Sequence, residues 1–154
     1  MLYDEKLSWR NKMKQWKLSV LAVLSFFISS IAYAASPAGN WTTTDDQTGR
    51  KRAVVHISAS GGSLSGSIVK VFPQPGDTGI CSKCPGSFKN KPIKGLQIIW
   101  GLKDKGNGEW DGGQILDPKT GKVYKAKMTL KGNKLYVRGY VGISALGRTQ
   151  VWSR

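Results

Sequence analysis

YKAKMTL, residues 124–130, alternates apolar and polar side chains one by one. The apolar side chains fall on one face of an extended chain: Tyr124, Ala126, Met128 and Leu130. Two lysines and a threonine fall on the other face. Because successive side chains of a strand point to opposite faces of a sheet, this period of two indicates a half-buried β-strand.

The same kind of short run recurs along the chain, interrupted by turns rich in glycine, asparagine and aspartate. No segment after residue 35 keeps a sustained helical period. We predict eight strands, at 40–44, 52–59, 64–72, 96–101, 109–116, 123–130, 134–141 and 148–153. Most neighbours are joined by short turns, and eight twisted antiparallel strands avoid exposed edges best when they close. The predicted fold is therefore an all-β, eight-stranded antiparallel up-and-down barrel.

Residues 1–34 contain the three parts of a secretory signal. Three lysines precede an uncharged apolar stretch at 18–31, and Ala-Tyr-Ala follows at 32–34 as an A-x-A cleavage pattern. As a helix, the apolar stretch is shorter than a bilayer core of about 30 Å. We predict cleavage after Ala34 and a single mature domain at 35–154, periplasmic or secreted, with no transmembrane segment after signal removal.

Two methionines are candidates for the true start of the chain. Met13 begins MKQWK, a more compact basic region than the mixed-charge stretch that follows Met1. Either start keeps the apolar stretch and the cleavage pattern, so the predicted compartment does not depend on the choice.

The chain is strongly basic, with 24 lysines and arginines against 9 aspartates and glutamates and a formal net charge of +15. Export excludes nucleic acid as the natural partner, and a positive face attracts anions. An anionic lipid or glycan of the cell envelope is therefore the better candidate partner, although outward lysines also protect strand edges from aggregation. The candidate anion-binding residues surround one predicted hairpin: Lys119, Lys122, Lys125, Lys127, Lys131 and Lys134.

The predicted loop at 73–95 is long and contains the two cysteines of the chain, Cys81 and Cys84. A loop of that length in a small domain is usually functional, disordered or a lid. In an exported protein a structural disulfide is the expected state of the pair. A redox role needs a C-x-x-C motif that opens a helix in a βαβ unit, and a zinc site needs more ligands than the single histidine, His56, supplies. We predict a structural disulfide and keep a redox role and a shared metal as alternatives.

Residue combinations typical of enzymes are sparse in this chain. Glu109 and Asp111 fall on one face of a predicted strand, so a carboxylate pair is an alternative, but solvated acids at the edge of a hairpin are the favoured interpretation. His56 falls opposite the predicted core face of its strand. We therefore expect no catalytic residue, no metal and no cofactor, and an enzyme is the least favoured class.

Gly39-Asn40-Trp41 opens the first predicted strand, and it resembles the G-x-W motif of lipocalins and related barrels. In those barrels the tryptophan closes one end beneath a basic residue from the last strand. The resemblance implies the same role here for Trp41, with Arg148 and Arg154 as the candidate bases. We favour Arg148, because a terminal residue such as Arg154 is free to fray.

A longer series of motifs covers nearly all of residues 35–154 and resembles one bacterial family. In chain order it comprises G-N-W at 39–41, D-D-x-T-G at 45–49, C-x-x-C with glycine at 81–86, P-I-x-G-L at 92–96, W-x-G-G at 110–113, I-x-D-P at 115–118, G-K-x-Y at 121–124, V-R-G-Y at 137–140 and G-R-T-Q-x-W at 147–152. The series is similar to the small exported proteins of domain-of-unknown-function family 2147. The resemblance implies a bacterial exported protein with a lipocalin-like barrel, and it implies no activity.

Three classes of function remain after these exclusions. We favour a binding protein for a small apolar or anionic envelope ligand. The alternatives are a structural or interaction module of the envelope with a side-chain-filled barrel, and an enzyme. Eight-stranded barrels can be filled or can hold one small ligand, so the number of strands does not decide. A cavity above about 300 Å³ would favour internal binding, and a dense core with a lysine-rich or aromatic outer patch would favour interaction.

Overall fold

The computed structural model describes residues 36–154, in which eight strands close into one antiparallel barrel. The strands are β1 Gly39–Thr44, β2 Lys51–Ser60, β3 Ser63–Val71, β4 Gln97–Gly106, β5 Glu109–Asp117, β6 Lys122–Lys131, β7 Lys134–Tyr140 and β8 Arg148–Ser153. Each strand pairs with its neighbour in sequence, and β8 returns to β1. The predicted fold class is confirmed. The predicted leader at 1–34 and its cleavage site lie outside the described residues.

β4 is the strand whose bounds differ most from the prediction. The apolar run predicted a strand at 96–101, whereas β4 continues to Gly106. The extension reads LKDKG, and only its first residue, Leu102, is buried. The four residues after Leu102 have no apolar alternation, but Lys103 pairs with Asp111 and Asp104 with Trp110 across the hairpin. Backbone pairing with β5 therefore forms residues 103–106 of the strand without burial of their side chains.

The connections divide the barrel into two ends, because an up-and-down meander places alternate connections together. Three tight turns mark the end that we call the hairpin end: 61–62, 107–108 and 132–133. Asn107 and Gly108 both have positive φ, as a type I′ hairpin turn requires. Longer connections mark the opposite end, which we call the loop end: 45–50, 72–96, 118–121 and 141–147.

Side chains fill the barrel interior. Its largest members have no more than 1% of their surface exposed: Trp41, Trp152, Ile57, Ile99, Leu102, Leu116, Met128 and Leu135. Two inward glycines show how tight the packing is. A Cβ atom on Gly66 would lie 2.8 Å from Cδ1 of Ile57, and one on Gly113 would lie 2.7 Å from the backbone nitrogen of Leu102. A methyl group at position 66 would displace the end of the Ile57 side chain, and one at position 113 would meet the backbone of the neighbouring strand β4.

Trp41 and Arg154 close the barrel at the hairpin end. The Arg154 guanidinium lies 4.2 Å from the centroid of the Trp41 ring, which is a cation–π contact. The same guanidinium donates a hydrogen bond to the Ser36 carbonyl at 2.8 Å, and the Trp41 indole N–H donates to the Pro37 carbonyl at 2.7 Å. These contacts hold the first and last described segments of the chain against each other.

The prediction that Arg148 closes the barrel is wrong. Arg148 begins β8 at the loop end, where its guanidinium pairs with the Asp46 carboxylate at 2.6 Å. Arg148 and Arg154 fall on the same face of β8 but at opposite ends of the strand, so only Arg154 reaches Trp41. The cation–π contact with the Trp41 indole and the hydrogen bond to the Ser36 carbonyl also hold Arg154 in place.

Substitutions of Trp41, Arg154 and Arg148 should distinguish the residues that close the barrel from the residue that forms a surface ion pair. Trp41→Ala should lower the free energy of unfolding by about 3–5 kcal/mol as a buried truncation. Arg154→Ala should cost about 1–2 kcal/mol through the lost cation–π contact and packing. Arg148→Ala should cost less than about 1 kcal/mol, because its ion pair is exposed. Urea unfolding measures all three, and a larger loss for Arg148→Ala than for Arg154→Ala would contradict this assignment.

Candidate functional site

The six predicted anion-binding lysines do not converge on one point. Lys119 and Lys122 lie at the loop end, whereas Lys131 pairs with Lys134 at the hairpin end. The strand that carries most of them, β6, has 10 residues and extends about 30 Å at roughly 3.3 Å per residue. The lysines therefore form a row along β6 and its flanking turns, and a compact ligand can contact only part of it.

A groove of about 230 Å³ crosses the outer surface from β5 to β8. Its lining residues are Glu109, Lys127, Thr129, Lys131, Tyr136, Arg138 and Thr149. Strand register explains how they meet. Glu109, Thr129 and Tyr136 are successive cross-strand partners, and so are Lys127, Arg138 and Thr149. Because paired residues share a face of the sheet, the two rows lie side by side on the outside of the barrel.

Arg138 is held in one orientation at the groove. Its Nε donates to the Ser144 carbonyl at 2.7 Å, Nη1 donates to the Thr149 hydroxyl at 2.7 Å, and Nη2 donates to the Ala145 carbonyl at 3.0 Å. These acceptors are neutral, so the bonds fix the side chain without cancelling its charge. Arg138 thus contributes a fixed positive charge to the groove and ties the β7–β8 loop to β7.

Lys131 and Tyr136 form a second contact in the groove. Lys131 Nζ lies 5.5 Å from the centroid of the Tyr136 ring, within range of a cation–π interaction. Among residues 36–154 the ion pairs are Arg52–Asp77 and Arg148–Asp46, both outside the groove. No carboxylate of that part of the chain is within ion-pair distance of the groove cations, so their positive potential faces solvent.

Sequence reasoning identified Lys127 and Lys131 but missed Tyr136, Arg138 and the two threonines. For Tyr136 and Arg138 the signal was present, because they alternate along β7 with the apolar Leu135 and Val137 and therefore point outward. Thr149 gave no comparable signal. Its position in the groove depends on the register between β7 and β8, and one strand read alone does not supply that register.

Glu109 and Asp111 do not form a carboxylate pair directed at a common point. Glu109 lines the groove, while Asp111 accepts hydrogen bonds from the Gly112 amide at 2.6 Å and the Tyr140 hydroxyl at 3.4 Å. Burial, and then the negative charge of Asp111, raise the pKa of Tyr140. The register shift between Trp110 and Gly113 separates the neighbourhoods of the two acids.

The long β3–β4 connection packs on the outer wall of the barrel, and its cysteines form the predicted disulfide, Cys81–Cys84. Cys81 contacts the Pro118 carbonyl at 3.4 Å, and both cysteines are buried. Phe88 stacks on Trp100 with ring centroids 5.7 Å apart. Trp100 follows Ile99, which packs inside the barrel against Ile57 and Gly66, so this stacking lies on the outside of β4. Residues 36–154 contain no group of three potential metal ligands.

Two turns at the loop end share the pattern D-x-x-T-G and the same hydrogen bond. The Gly49 amide donates to the Asp45 carbonyl at 2.7 Å, and the Gly121 amide donates to the Asp117 carbonyl at 2.8 Å. The amide of Thr48, followed by that of Gln47, lowers the pKa of the Asp45 carboxyl. The two glycines differ in their surroundings. Gly49 faces open space, whereas Gly121 packs against the Lys83 carbonyl, directly beneath the disulfide.

The motif order and the closed barrel agree with one bacterial family. The family model described as "Uncharacterized protein conserved in bacteria (DUF2147)" matches residues 39–154, which include all eight strands. The chain belongs to the DUF2147 family. The resemblance carried by the motif series is confirmed.

The barrel of this DUF2147 protein is similar to a solved structure titled "Protein HP1028 from the human pathogen Helicobacter pylori belongs to the lipocalin family". The two chains are 18% identical with a TM-score of 0.67, and the match covers 78% of this chain and 83% of that one. At this identity the likeness shows the fold alone, a lipocalin-like barrel. A search of curated proteins gave no match. Among residues 36–154 no helix has the length and hydropathy to cross a membrane.

The paired turns provide a matched test of how the long loop docks. Gly49→Ala should destabilise the protein by about 1–2 kcal/mol, because the positive φ is unfavourable for alanine. Gly121→Ala should cost about 1–3 kcal/mol more, because the new methyl group overlaps the Lys83 carbonyl. Hydrogen exchange of residues 79–92 should also accelerate in Gly121→Ala alone. Equal losses of stability and unchanged exchange would show that the loop does not rest on this turn.

Proposed function

We propose that this protein is exported to the bacterial envelope and binds an anionic glycan on the outer face of its barrel. The observation that carries the proposal is the groove, where three cations and an aromatic ring meet on the outside of a barrel with a packed interior. The leader pattern at 1–34 supports export, and the excess of basic residues supports an anionic partner.

The mix of side chains in the groove favours a sugar over a simple inorganic anion. Lys127 and Arg138 supply positive charge for carboxylate or phosphate groups, and Thr149 and Thr129 carry hydroxyls that can hydrogen-bond a polyol. The Tyr136 ring offers an apolar surface with a polar tip. Glu109 at the edge accepts hydrogen bonds from hydroxyl donors, so the favoured ligand carries hydroxyl groups beside its negative charges.

The magnitudes favour a polymer over a single sugar. About 1 kcal/mol per basic residue near an anionic surface gives the three groove cations roughly 3 kcal/mol, and a Kd of 1 mM already needs about 4 kcal/mol. The lysine row along β6 continues beyond the groove toward both ends of the barrel. A chain with repeated negative charges can use the row and the groove together.

Binding of a small apolar ligand inside the barrel has less support. The lipocalin-like fold is the argument for it. Against it stands the burial of large side chains inside the barrel, such as Ile57, Ile99 and Leu102, none of which is exposed. An internal ligand of drug-like size needs a pocket of about 300 Å³ or more. The filled interior therefore supports a site on the outer face.

Binding of oligogalacturonate, a carboxylated saccharide, tests the proposal, with neutral dextran and a fluorescent fatty acid as comparison ligands. Anisotropy at low ionic strength should show binding of the charged saccharide alone, weakened by added salt. Lys127→Gln should weaken binding about fivefold, equivalent to about 1 kcal/mol. Lys51→Gln, which removes an exposed lysine from β2 outside the groove, should leave binding unchanged. Equal effects of the two variants, or binding of the fatty acid alone, would refute the groove as the site.

A further inference from the structure

The β7–β8 loop at 141–147 presents three aliphatic side chains to solvent. Val141 is 70% exposed, Ile143 63% and Leu146 80%. Six large hydrophobic residues are exposed in the described part of the chain, and half of them lie in this one loop. Scattered exposed aliphatic residues need no explanation, but a concentration of them at one protruding point indicates an interaction site.

The loop is fixed in a conformation that keeps these side chains outward. Arg138 bonds the carbonyls of Ser144 and Ala145, and the Leu146 amide donates to the Ile143 carbonyl at 3.2 Å. Gly147 lies against β7 so closely that a Cβ atom there would be 2.6 Å from the Gly139 carbonyl oxygen. The exposure is therefore held by specific contacts.

Positive charge accompanies the aliphatic side chains at the loop end. Lys119 lies in the neighbouring β5–β6 connection, and Lys122 begins β6. Lys125 pairs across the sheet with Tyr140, the residue before Val141. Two acids of the same end are paired, Asp46 with Arg148 and Asp77 with Arg52. Asp45 and Asp117 remain there as carboxylates that accept hydrogen bonds from their own turns. The hairpin end also carries lysines, but its tight turns consist of glycine and asparagine and present no aliphatic side chain.

A protruding aliphatic tip beside lysines matches the requirements of a bilayer surface. Peripheral membrane binding combines apolar side chains among the headgroups with cations that attract anionic lipids. A specific protein interface needs about 1,000 Å² of buried surface and a complementary shape. Three side chains on a loop of seven residues offer much less area, whereas a fluid headgroup layer adapts to the shape of the loop.

We propose that the loop end docks on an anionic membrane surface, with Val141, Ile143 and Leu146 inserted among the headgroups and with Lys119 and Lys122 against lipid phosphates. Arg138 acts as the positioning residue that holds the loop outward. The proposal uses a part of the barrel next to the glycan groove and does not depend on glycan binding.

Vesicle binding of aspartate variants is the first test. The protein is produced with its leader in an exporting bacterium, purified from the envelope fraction and mixed with phosphatidylglycerol or with neutral phosphatidylcholine vesicles. Sedimentation should show preference for phosphatidylglycerol. Ile143→Asp and Leu146→Asp should each reduce the partition coefficient about tenfold or more, because each loses the burial of one aliphatic side chain. Val151→Asp, an exposed aliphatic position on β8 outside the loop, is the control and should retain binding.

A fluorescent reporter shows whether the loop itself enters the headgroup layer. The only two cysteines form the disulfide, so Leu146→Cys can be labelled selectively with an environment-sensitive dye under non-reducing conditions. Its emission should shift to the blue with phosphatidylglycerol vesicles, and the same dye on Asn133→Cys at the hairpin end should not shift. Parental binding by both aspartate variants, or equal dye responses at the two positions, would overturn the proposal. If the parent protein binds the vesicles but does not bind oligogalacturonate, the glycan site is refuted and the membrane site stands.

Discussion

The burial of Trp41 beneath Arg154, where β1 meets the end of β8, holds the barrel closed. The register between β1 and β8 contains one residue pair, Thr42 with Ser153, whereas the other neighbouring strands pair over several residues. The short ladder gains a cation–π contact and two hydrogen bonds to the segment before β1. Closure removes both free strand edges and encloses one apolar core.

A closed and filled barrel moves the places available for binding to its outside. Large interior side chains such as Ile57 and Met128 are fully buried, so the interior serves stability. The outer face of β5–β8 and the loop end remain, and Arg138 connects them. Its guanidinium lines the groove and holds the Ser144 and Ala145 carbonyls of the exposed loop. One side chain thus sets the charge of the groove and the shape of the loop.

Alternation and turn residues predicted most of the fold, because each strand carries its own period of two. Alternation does not predict the end of β4, where pairing with β5 forms strand without apolar alternation. Arg148 was favoured over Arg154 because a terminal residue is expected to fray. The hydrogen bond that holds Arg154 in place runs to the Ser36 carbonyl, far away in sequence, so the sequence does not reveal it. The row of lysines was visible, but the groove was not, since it depends on the register of four strands. The docking of Phe88 on Trp100 likewise depends on a contact between distant segments.

NMR of the labelled protein during titration with oligogalacturonate distinguishes a ligand on the outer face from a ligand inside the barrel. We expect shifts of backbone amides in the groove, at Lys127, Thr129 and Thr149, with the methyl signals of the buried Val55 and Leu135 unchanged. Shifts of those interior methyl groups, with the groove amides unmoved, would place the ligand inside the barrel and refute the outer-face site.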